Sequence, residues 1–78
     1  MRLAVVIPCY RVARHIESVV AGLPAFVDHI LVVDDCCPEG AGDVAARLAD
    51  PRVEVLRHPR NRGVGAAVVT GYRRALDL

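Results

Sequence analysis

Hydrophobic residues in this chain concentrate in three short runs, and each run ends in a compact cluster of polar residues. The stretches between the runs place apolar side chains three and four residues apart, which is the period of an α-helix. This alternation predicts a β-α-β-α-β-α order with right-handed crossovers, and therefore a parallel sheet in the order 3-2-1. We predict strands over residues 2–8, 29–34 and 52–57, and helices over residues 13–23, 42–49 and 63–78.

The same pattern predicts how far each element is covered. Residues 30–33 are continuously apolar, as in strands covered on both faces, whereas the third strand alternates imperfectly and is expected to be more exposed. Pro8 is expected to end the pairing of the first strand, since proline has no N–H to donate. The predicted inward-facing residues are Ile16, Val19, Val20 and Leu23 in the first helix, Val44 and Leu48 in the second, and Val64, Ala67, Val68, Gly71, Tyr72, Ala75 and Leu76 in the third, with Arg73, Arg74 and Asp77 on its outer side.

Length and composition favour one small α/β domain. Of the 78 residues, 54% are hydrophobic but only 4% are aromatic, so the core has to be built from valine, leucine, isoleucine and alanine. We expect a three-layer, Rossmann-like half-domain with helices on both faces of the sheet. Because three parallel strands bury little surface, we interpret residues 1–78 as the first part of a larger domain. The free edge of the first strand is expected to pair with a later strand or another chain, so a homo-oligomer is one expectation.

Charge and cysteine content argue against several classes of function. The net charge of +1 gives no overall field that would recruit nucleic acid, and all ten basic residues are arginine. Three cysteines, two of them adjacent, favour a reducing cytoplasmic environment, and no zinc-ligand spacing is present. No apolar run approaches the ~20 residues that span a bilayer, and the N-terminus lacks the features of a secretory signal, so no transmembrane segment is expected.

The polar clusters indicate where a ligand would bind. Pro8-Cys9-Tyr10 follows the first strand, Asp34-Asp35 ends the second, and the arginine-rich residues 57–62 follow the third. In an open α/β sheet the carboxyl ends of parallel strands form the ligand crevice. Asp34 and Asp35 would there accept hydrogen bonds from a nucleoside, ligate a cation such as Mg²⁺, or hydrogen-bond backbone N–H groups in a strand-end turn.

The third cluster leads into a helix through Asn61-Arg62-Gly63-Val64-Gly65. Small residues and the free N–H groups of a helix start favour an anion, although Asn61 is equally suited to capping the helix. Val68 stands where a dinucleotide-binding fingerprint needs its third glycine, which argues against that function. Tyr10 would present its ring to a planar base or pack on the end of the sheet. The neighbouring arginines disfavour a catalytic role for His58.

Together, the three clusters resemble the N-terminal part of family 2 glycosyltransferases of the GT-A fold, and in particular the dolichyl- and polyprenyl-phosphate sugar transferases. Two departures from the family pattern stand out. Arg11-Val12 replaces an Asn and an acidic residue, and Cys36-Cys37 replaces a small pair such as Gly-Ser. The resemblance rests on Val5-Val6-Ile7-Pro8-Cys9-Tyr10, Ile30-Leu31-Val32-Val33-Asp34-Asp35, and Asn61-Arg62-Gly63-Val64-Gly65-Ala66-Ala67 with Gly71-Tyr72-Arg73, in order and at the family's intervals.

This resemblance implies a site for a nucleotide-diphospho-sugar. It implies that Asp35, with Asp34 beside it, reads the base, and that the other site residues are Pro8, Cys9 and Tyr10 at the nucleoside and Asn61, Arg62, Gly63 and Gly65 near the ribose and phosphates. A divalent cation, Mg²⁺ or Mn²⁺, would be held in the parent enzyme by an Asp-x-Asp motif after the next strand. No metal ligand or catalytic residue is therefore expected among residues 1–78. The acceptor implied is one such as polyprenyl phosphate, at the inner face of a membrane.

Two functions of different class remain open at this point. The first is the donor-binding part of a glycosyltransferase, inactive without the rest of its parent enzyme. The alternative is a non-catalytic α/β module that self-associates or binds a partner through the free strand edge and the apolar helix faces.

Overall fold

The computed structural model describes residues 2–10, 13–38 and 40–78. The three strands form one parallel sheet in the order β1-β2-β3, so the predicted α/β class, strand direction and strand order are confirmed. No helix in this described part is long and apolar enough to cross a bilayer. The elements are β1 (Ala4–Cys9), α1 (Ala13–Ala21), β2 (His29–Asp34), α2 (Ala41–Ala46), β3 (Val53–Arg57) and α3 (Val64–Leu76).

The central strand β2 is covered on both faces, as its continuous apolar sequence predicts. Residues 30–33 are fully buried. Ile30 and Val32 face the side of the sheet on which α1 and α2 pack. On the opposite side lies α3, where Gly71 packs directly on Val6 of β1. The cluster on the first side includes Cys9, Ile16, Val20, Val27, Ile30, Val32, Ala41 and Ala45.

The predicted end of β1 at Pro8 is wrong. Pro8 pairs with Val33, and Cys9 with Asp34, so the strand runs one residue beyond the proline. The Cys9 carbonyl accepts from the Asp35 N–H at 3.1 Å, which directs the backbone groups of Cys9 towards β2. Neighbouring residues of a strand alternate in direction, so the missing N–H of Pro8 would point to the free edge, where no bond is lost.

The helices α1 and α2 end earlier than predicted. Helix α2 stops at Ala46 instead of residue 49, because the N–H groups of Arg47 and Leu48 bond to carbonyls three residues back and tighten the last turn. Val44 and Leu48 still pack against the core, as predicted. In α1, Ile16 is buried as expected but Val19 is 43% exposed, so the predicted inward face is too wide.

Helix α3 contacts the sheet along a narrower line than its apolar sequence predicts. Only its small residues Ala67 and Gly71 are buried. Arg74, predicted on the outer side, instead pairs with Glu54 of β3 at 2.6 and 3.0 Å, because Glu54 lies on the sheet face that α3 covers. The apolar side chains left exposed on this helix are Val64, Val68, Val69, Tyr72 and Leu76.

Candidate functional site

The three polar clusters meet at one edge of the sheet. Cys9, Asp34 and Arg57 lie side by side in the parallel register. The Asp34 carbonyl accepts the N–H of His58 at 2.8 Å, and this bond carries the pairing one step past the end of β3. Among the residues that the structure describes, this edge is an open surface and encloses no pocket. The predicted clusters do share one edge of the sheet, and binding of a ligand there stays a prediction.

Asp34 fastens α2 to the sheet. Its Oδ1 accepts the N–H of Cys37 at 2.7 Å, and its Oδ2 accepts the N–H of Gly42, in the first turn of α2, at 2.9 Å. The guanidinium of Arg57 lies 3.8 Å from Oδ2 and also pairs with Asp43 at 2.9 Å. A side chain at Gly42 would run into both Asp34 and Arg57, so the close approach requires glycine. Asp34 therefore makes the contacts of a strand-end turn.

Asp35 fastens the start of α3 on the other face. Its Oδ1 accepts the N–H of Arg62 and its Oδ2 the N–H of Gly63, both at 2.8 Å. The carboxylate is only 3% exposed and also receives a bond from the His58 ring at 2.8 Å. The His58 bond, followed by the Arg62 N–H, lowers the pKa of Asp35 from its ordinary value, so it is ionised at neutral pH.

The segment leading into α3 has a conformation that only glycine adopts readily. Gly63 has φ 91° and ψ 161°, and its N–H is shared with the Asn61 side-chain oxygen at 3.1 Å. This bond closes a local turn before the helix. The N-cap of α3 is Gly63 and has no side-chain capping bond, so the predicted capping role of Asn61 is not seen. Gly65, by contrast, has nothing within 4 Å of the place a Cβ would occupy. The outer side of this first helical turn is open to a ligand.

The end of β1 contributes chiefly through its backbone and its exposed tyrosine. The thiol of Cys9 is buried in the core and donates to the Ile7 carbonyl at 3.4 Å. Burial, and next the nearby charge of Asp34, raises the pKa of this thiol to about 11, so it remains protonated. Tyr10 is 41% exposed beyond the strand end. Arg11 and Val12, where the family pattern is broken, lie outside the described residues.

Two residues outside the predicted set, His58 and Thr70, also belong to this site. The His58 side chain is buried and bridges Asp35 through Nδ1 and the Thr70 hydroxyl through Nε2, at 2.8 Å each. A signal was present in the sequence. The predicted second and third strands end at Asp34 and Arg57, which pair in the sheet, so Asp35 and His58 follow them as neighbours.

The described residues offer no evident set of ligands for a divalent cation, whose site the resemblance assigns to a later strand of the parent enzyme. No group of three histidine, cysteine, aspartate or glutamate side chains within them is placed to hold a metal. Each oxygen of Asp34 and Asp35 already accepts at least one N–H of the chain itself. We therefore derive no metal-dependent step for these residues.

Comparison with known proteins places this geometry in a family. The profile of glycosyl transferase family 2 matches residues 4–77. The undecaprenyl-phosphate mannosyltransferase of Micrococcus luteus is 38% identical over 84 residues, covering 99% of this chain and 33% of the relative. Polyprenol monophosphomannose synthase of Mycolicibacterium smegmatis is 38% identical over 76 residues, covering 91% and 29%.

A third relative is named for a different sugar, N-acetylglucosamine. The UDP-N-acetylglucosamine--dolichyl-phosphate N-acetylglucosaminyltransferase of Methanococcus voltae is 27% identical over 88 residues, covering 94% of this chain and 35% of the relative. The chain thus spans about a third of the length of these curated relatives. The matched profile extends over β1 to α3 and includes all three strand ends. The chain belongs to glycosyl transferase family 2 and corresponds to the N-terminal half of a GT-A fold.

Proposed function

We propose that this chain is the donor-binding part of a glycosyltransferase and binds a nucleotide-diphospho-sugar across the carboxyl ends of its three strands. The parent enzyme would transfer the sugar to an acceptor such as polyprenyl phosphate at the inner face of a membrane. The observation that carries the proposal is the convergence of three strand ends at one open edge, in a chain whose family match covers that whole edge. Two relatives, an undecaprenyl-phosphate mannosyltransferase and a polyprenol monophosphomannose synthase, support the acceptor class.

The geometry suits a nucleoside diphosphate better than a neutral sugar. The first turn of α3 presents backbone N–H groups next to an open side at Gly65, and a helix start favours an anion. Arg62 is exposed at the same place, while its backbone N–H is held by Asp35. Because Asp35 binds the backbone N–H of Arg62 and not its side chain, the guanidinium is suited to binding a phosphate. Tyr10 offers an aromatic ring at the neighbouring strand end.

Calorimetric titration of the folded 78-residue chain with UDP- and GDP-sugars tests the proposal. We expect binding at millimolar concentration or below. Arg62→Ala should weaken it about tenfold, since a hydrogen bond to a charged group is worth about 1.5 kcal/mol. Arg73→Ala removes an equally exposed arginine from the outer side of α3 and is the matched control. Absence of binding by a chain verified as folded, or equal losses in both variants, would contradict the proposal.

We further propose that the 78-residue chain binds its donor without turning it over. Within the described residues no group of three metal-ligating side chains is placed to hold a cation, and the family resemblance places the catalytic base further along the parent enzyme. Mn²⁺ should therefore change the affinity of the chain for UDP or GDP by no more than about twofold. Mn²⁺ also binds the diphosphate directly, and a titration of Mn²⁺ into the nucleotide alone corrects for this.

The alternative function, self-association or partner binding, has its own supporting observation. Within the described residues β1 has no strand neighbour on its outer side, and the helix beside it exposes five large apolar side chains. Contiguous exposed apolar surface of this kind is typical of an interaction surface. Light scattering separates the two functions. A stable dimer that binds no nucleotide would favour the alternative, and a monomer that binds a nucleotide-sugar would exclude it.

A further inference from the structure

We infer that His58 is a positioning residue that, through Asp35, holds the backbone amides of Arg62 and Gly63 in place at the start of α3. The inference rests on the proposed function for its ligand, a nucleoside diphosphate, and on the fold alone for its mechanism. His58 is not among the predicted site residues, yet it is one of the three buried polar or charged residues of the described chain.

The hydrogen bonds of His58 run in one continuous path across the site. Its Nδ1 lies 2.8 Å from Asp35 Oδ1, and its Nε2 lies 2.8 Å from Thr70 Oγ1 in the second turn of α3. The same Asp35 oxygen accepts the N–H of Arg62 at 2.8 Å, and the other oxygen accepts that of Gly63. One ring therefore joins the body of α3 to the carboxylate that orders the start of α3.

The chemistry of the partners determines which nitrogen carries the proton. Because an ionised carboxylate only accepts hydrogen bonds, Nδ1 must donate to Asp35. In the neutral ring Nε2 then accepts from the hydroxyl of Thr70. This arrangement fixes the ring plane, and the ring in turn fixes the rotation of the Asp35 carboxylate.

The consequence for a ligand follows from where the two amides sit. Gly63 precedes α3 in a glycine conformation, and its carbonyl accepts the N–H of Ala67 at 3.1 Å. The N–H groups of Arg62 and Gly63 already donate to Asp35. A phosphate would therefore bind the next N–H groups, those of Val64 and Gly65 in the first turn of α3. Their direction depends on how the preceding residues are held. A rotated Asp35 carboxylate would misdirect them without unfolding the sheet.

Two substitutions of His58 distinguish a role in positioning Asp35 from a role in filling the space that the ring occupies. In His58→Asn the amide nitrogen occupies the place of Nδ1 and keeps the donation to Asp35. In His58→Gln the amide reaches the place of Nε2 and keeps the Thr70 contact but loses Asp35. We expect His58→Gln to shift the amide resonances of Arg62 and Gly63 and to weaken nucleoside diphosphate binding about tenfold. His58→Asn should keep both near wild type.

Nuclear magnetic resonance of the ¹⁵N-labelled chain, with UDP and GDP as probes, gives outcomes that can be told apart. If the wild-type chain binds neither nucleotide while His58→Gln shifts the two amides and His58→Asn does not, the proposed function fails and the positioning role stands. If His58→Gln folds and changes neither resonances nor affinity, or if both variants change them equally, the positioning role is overturned. Should His58→Gln fail to fold, Thr70→Val provides the test. It leaves Nδ1 bonded, so we expect smaller shifts of the same amides, and their absence also overturns the inference.

Discussion

Two adjacent carboxylates at the end of β2 serve opposite faces of the sheet. Side chains alternate along a strand, so Asp34 points to the side of α2 and Asp35 to the side of α3. Each carboxylate accepts an N–H at or near the start of its helix, where a negative charge is favourable. In the sequence these two acidic residues suggest a metal site or a contact with a base. In the structure both also bind the N-terminal ends of helices. Contact of Asp35 with a base stays a prediction.

The lowered pKa of Asp35 predicts a loss of stability in acid. Its pKa in the folded chain lies below that of the unfolded chain, which is about 3.9. The stabilisation is therefore complete above pH ~4 and disappears as the pH falls through the folded pKa. Urea unfolding followed by circular dichroism between pH 2 and ~6 should show Asp35→Asn less stable than wild type at the upper end and less sensitive to acid at the lower end.

A carboxylate with no such contacts gives the control for this experiment. Glu17→Gln neutralises an exposed residue of α1 and should leave the acid dependence of wild type nearly unchanged. Asp50, whose pKa is lowered by hydrogen bonding to Arg52, contributes its own share in every variant, so some acid sensitivity persists. Equal acid dependence in wild type and Asp35→Asn would contradict the assigned role of the Asp35 hydrogen bonds.

Cys36 occupies a backbone conformation that favours glycine. Its φ is 56°, in the left-handed region, and it is the one non-glycine residue of the described chain with a positive φ. The left-handed region costs a non-glycine residue roughly 1–2 kcal/mol, partly offset by the greater chain entropy that glycine loses on folding. Cys36→Gly should therefore raise the free energy of unfolding by about 0.5–1 kcal/mol. Cys37→Gly is the matched control and should lower it, and a gain from both would refute the explanation.

At the scale of the element, α3 offers two glycines with opposite surroundings. A Cβ on Gly71 would overlap Val6, a β-branched residue fixed in β1, whereas a Cβ on Gly65 would meet nothing within 4 Å. Gly71→Ala should thus destabilise the fold by about 1–3 kcal/mol in spite of the helix preference of alanine. Gly65→Ala should stabilise it by about 0.5–1 kcal/mol, because only that preference acts. Thermal unfolding of both variants measures the difference, and equal signs would contradict the packing of α3.

The same helix shows which parts of the fold the sequence determines. Strand order, parallel pairing and burial of β2 follow from one-dimensional hydrophobic patterns, so they were predictable. The contact line of α3 was not, because it depends on Gly71 allowing the helix to approach Val6, and no periodicity signals that. The outward prediction for Arg74 failed for a related reason. Its partner Glu54 is twenty positions away and becomes a neighbour only once the sheet is paired.

Prediction of the site shows the same limit. The three strand ends were identifiable because carboxyl ends of parallel strands share an edge. Asp34 binds on the α2 side of the sheet and Asp35 on the α3 side. This difference is predictable only if the alternation of side chains is assumed to continue one residue past the end of β2. The role of His58 is harder to predict, because Arg57 and Arg60 are its neighbours along the chain and Asp35 becomes its neighbour only in the folded sheet. Arg57 in fact turns to the opposite face, towards Asp34 and Asp43.

At the scale of the whole molecule, the exposed apolar face of α3 predicts association of the isolated chain. Val64, Val68, Tyr72 and Leu76 recur every fourth residue and form one stripe along α3, the helix that packs on β1. In water such a stripe is stabilised by contact with another apolar surface, at about 25 cal/mol per Å² removed from solvent. The apparent mass of the chain in sedimentation or light scattering should therefore rise with concentration.

A matched pair of substitutions tests whether this stripe is responsible. Val68 and Val19 are almost equally exposed, at 46% and 43%, but Val19 lies on α1, on the other side of the sheet. Val68→Glu places a charge in the middle of the stripe and should abolish the rise in mass, while Val19→Glu should leave it as in wild type. Both exposed positions tolerate glutamate within a helix, so stability should differ little. If Val19→Glu dissociates the chain as well, or Val68→Glu does not, association proceeds through another surface, with the edge of β1 the first to be tested.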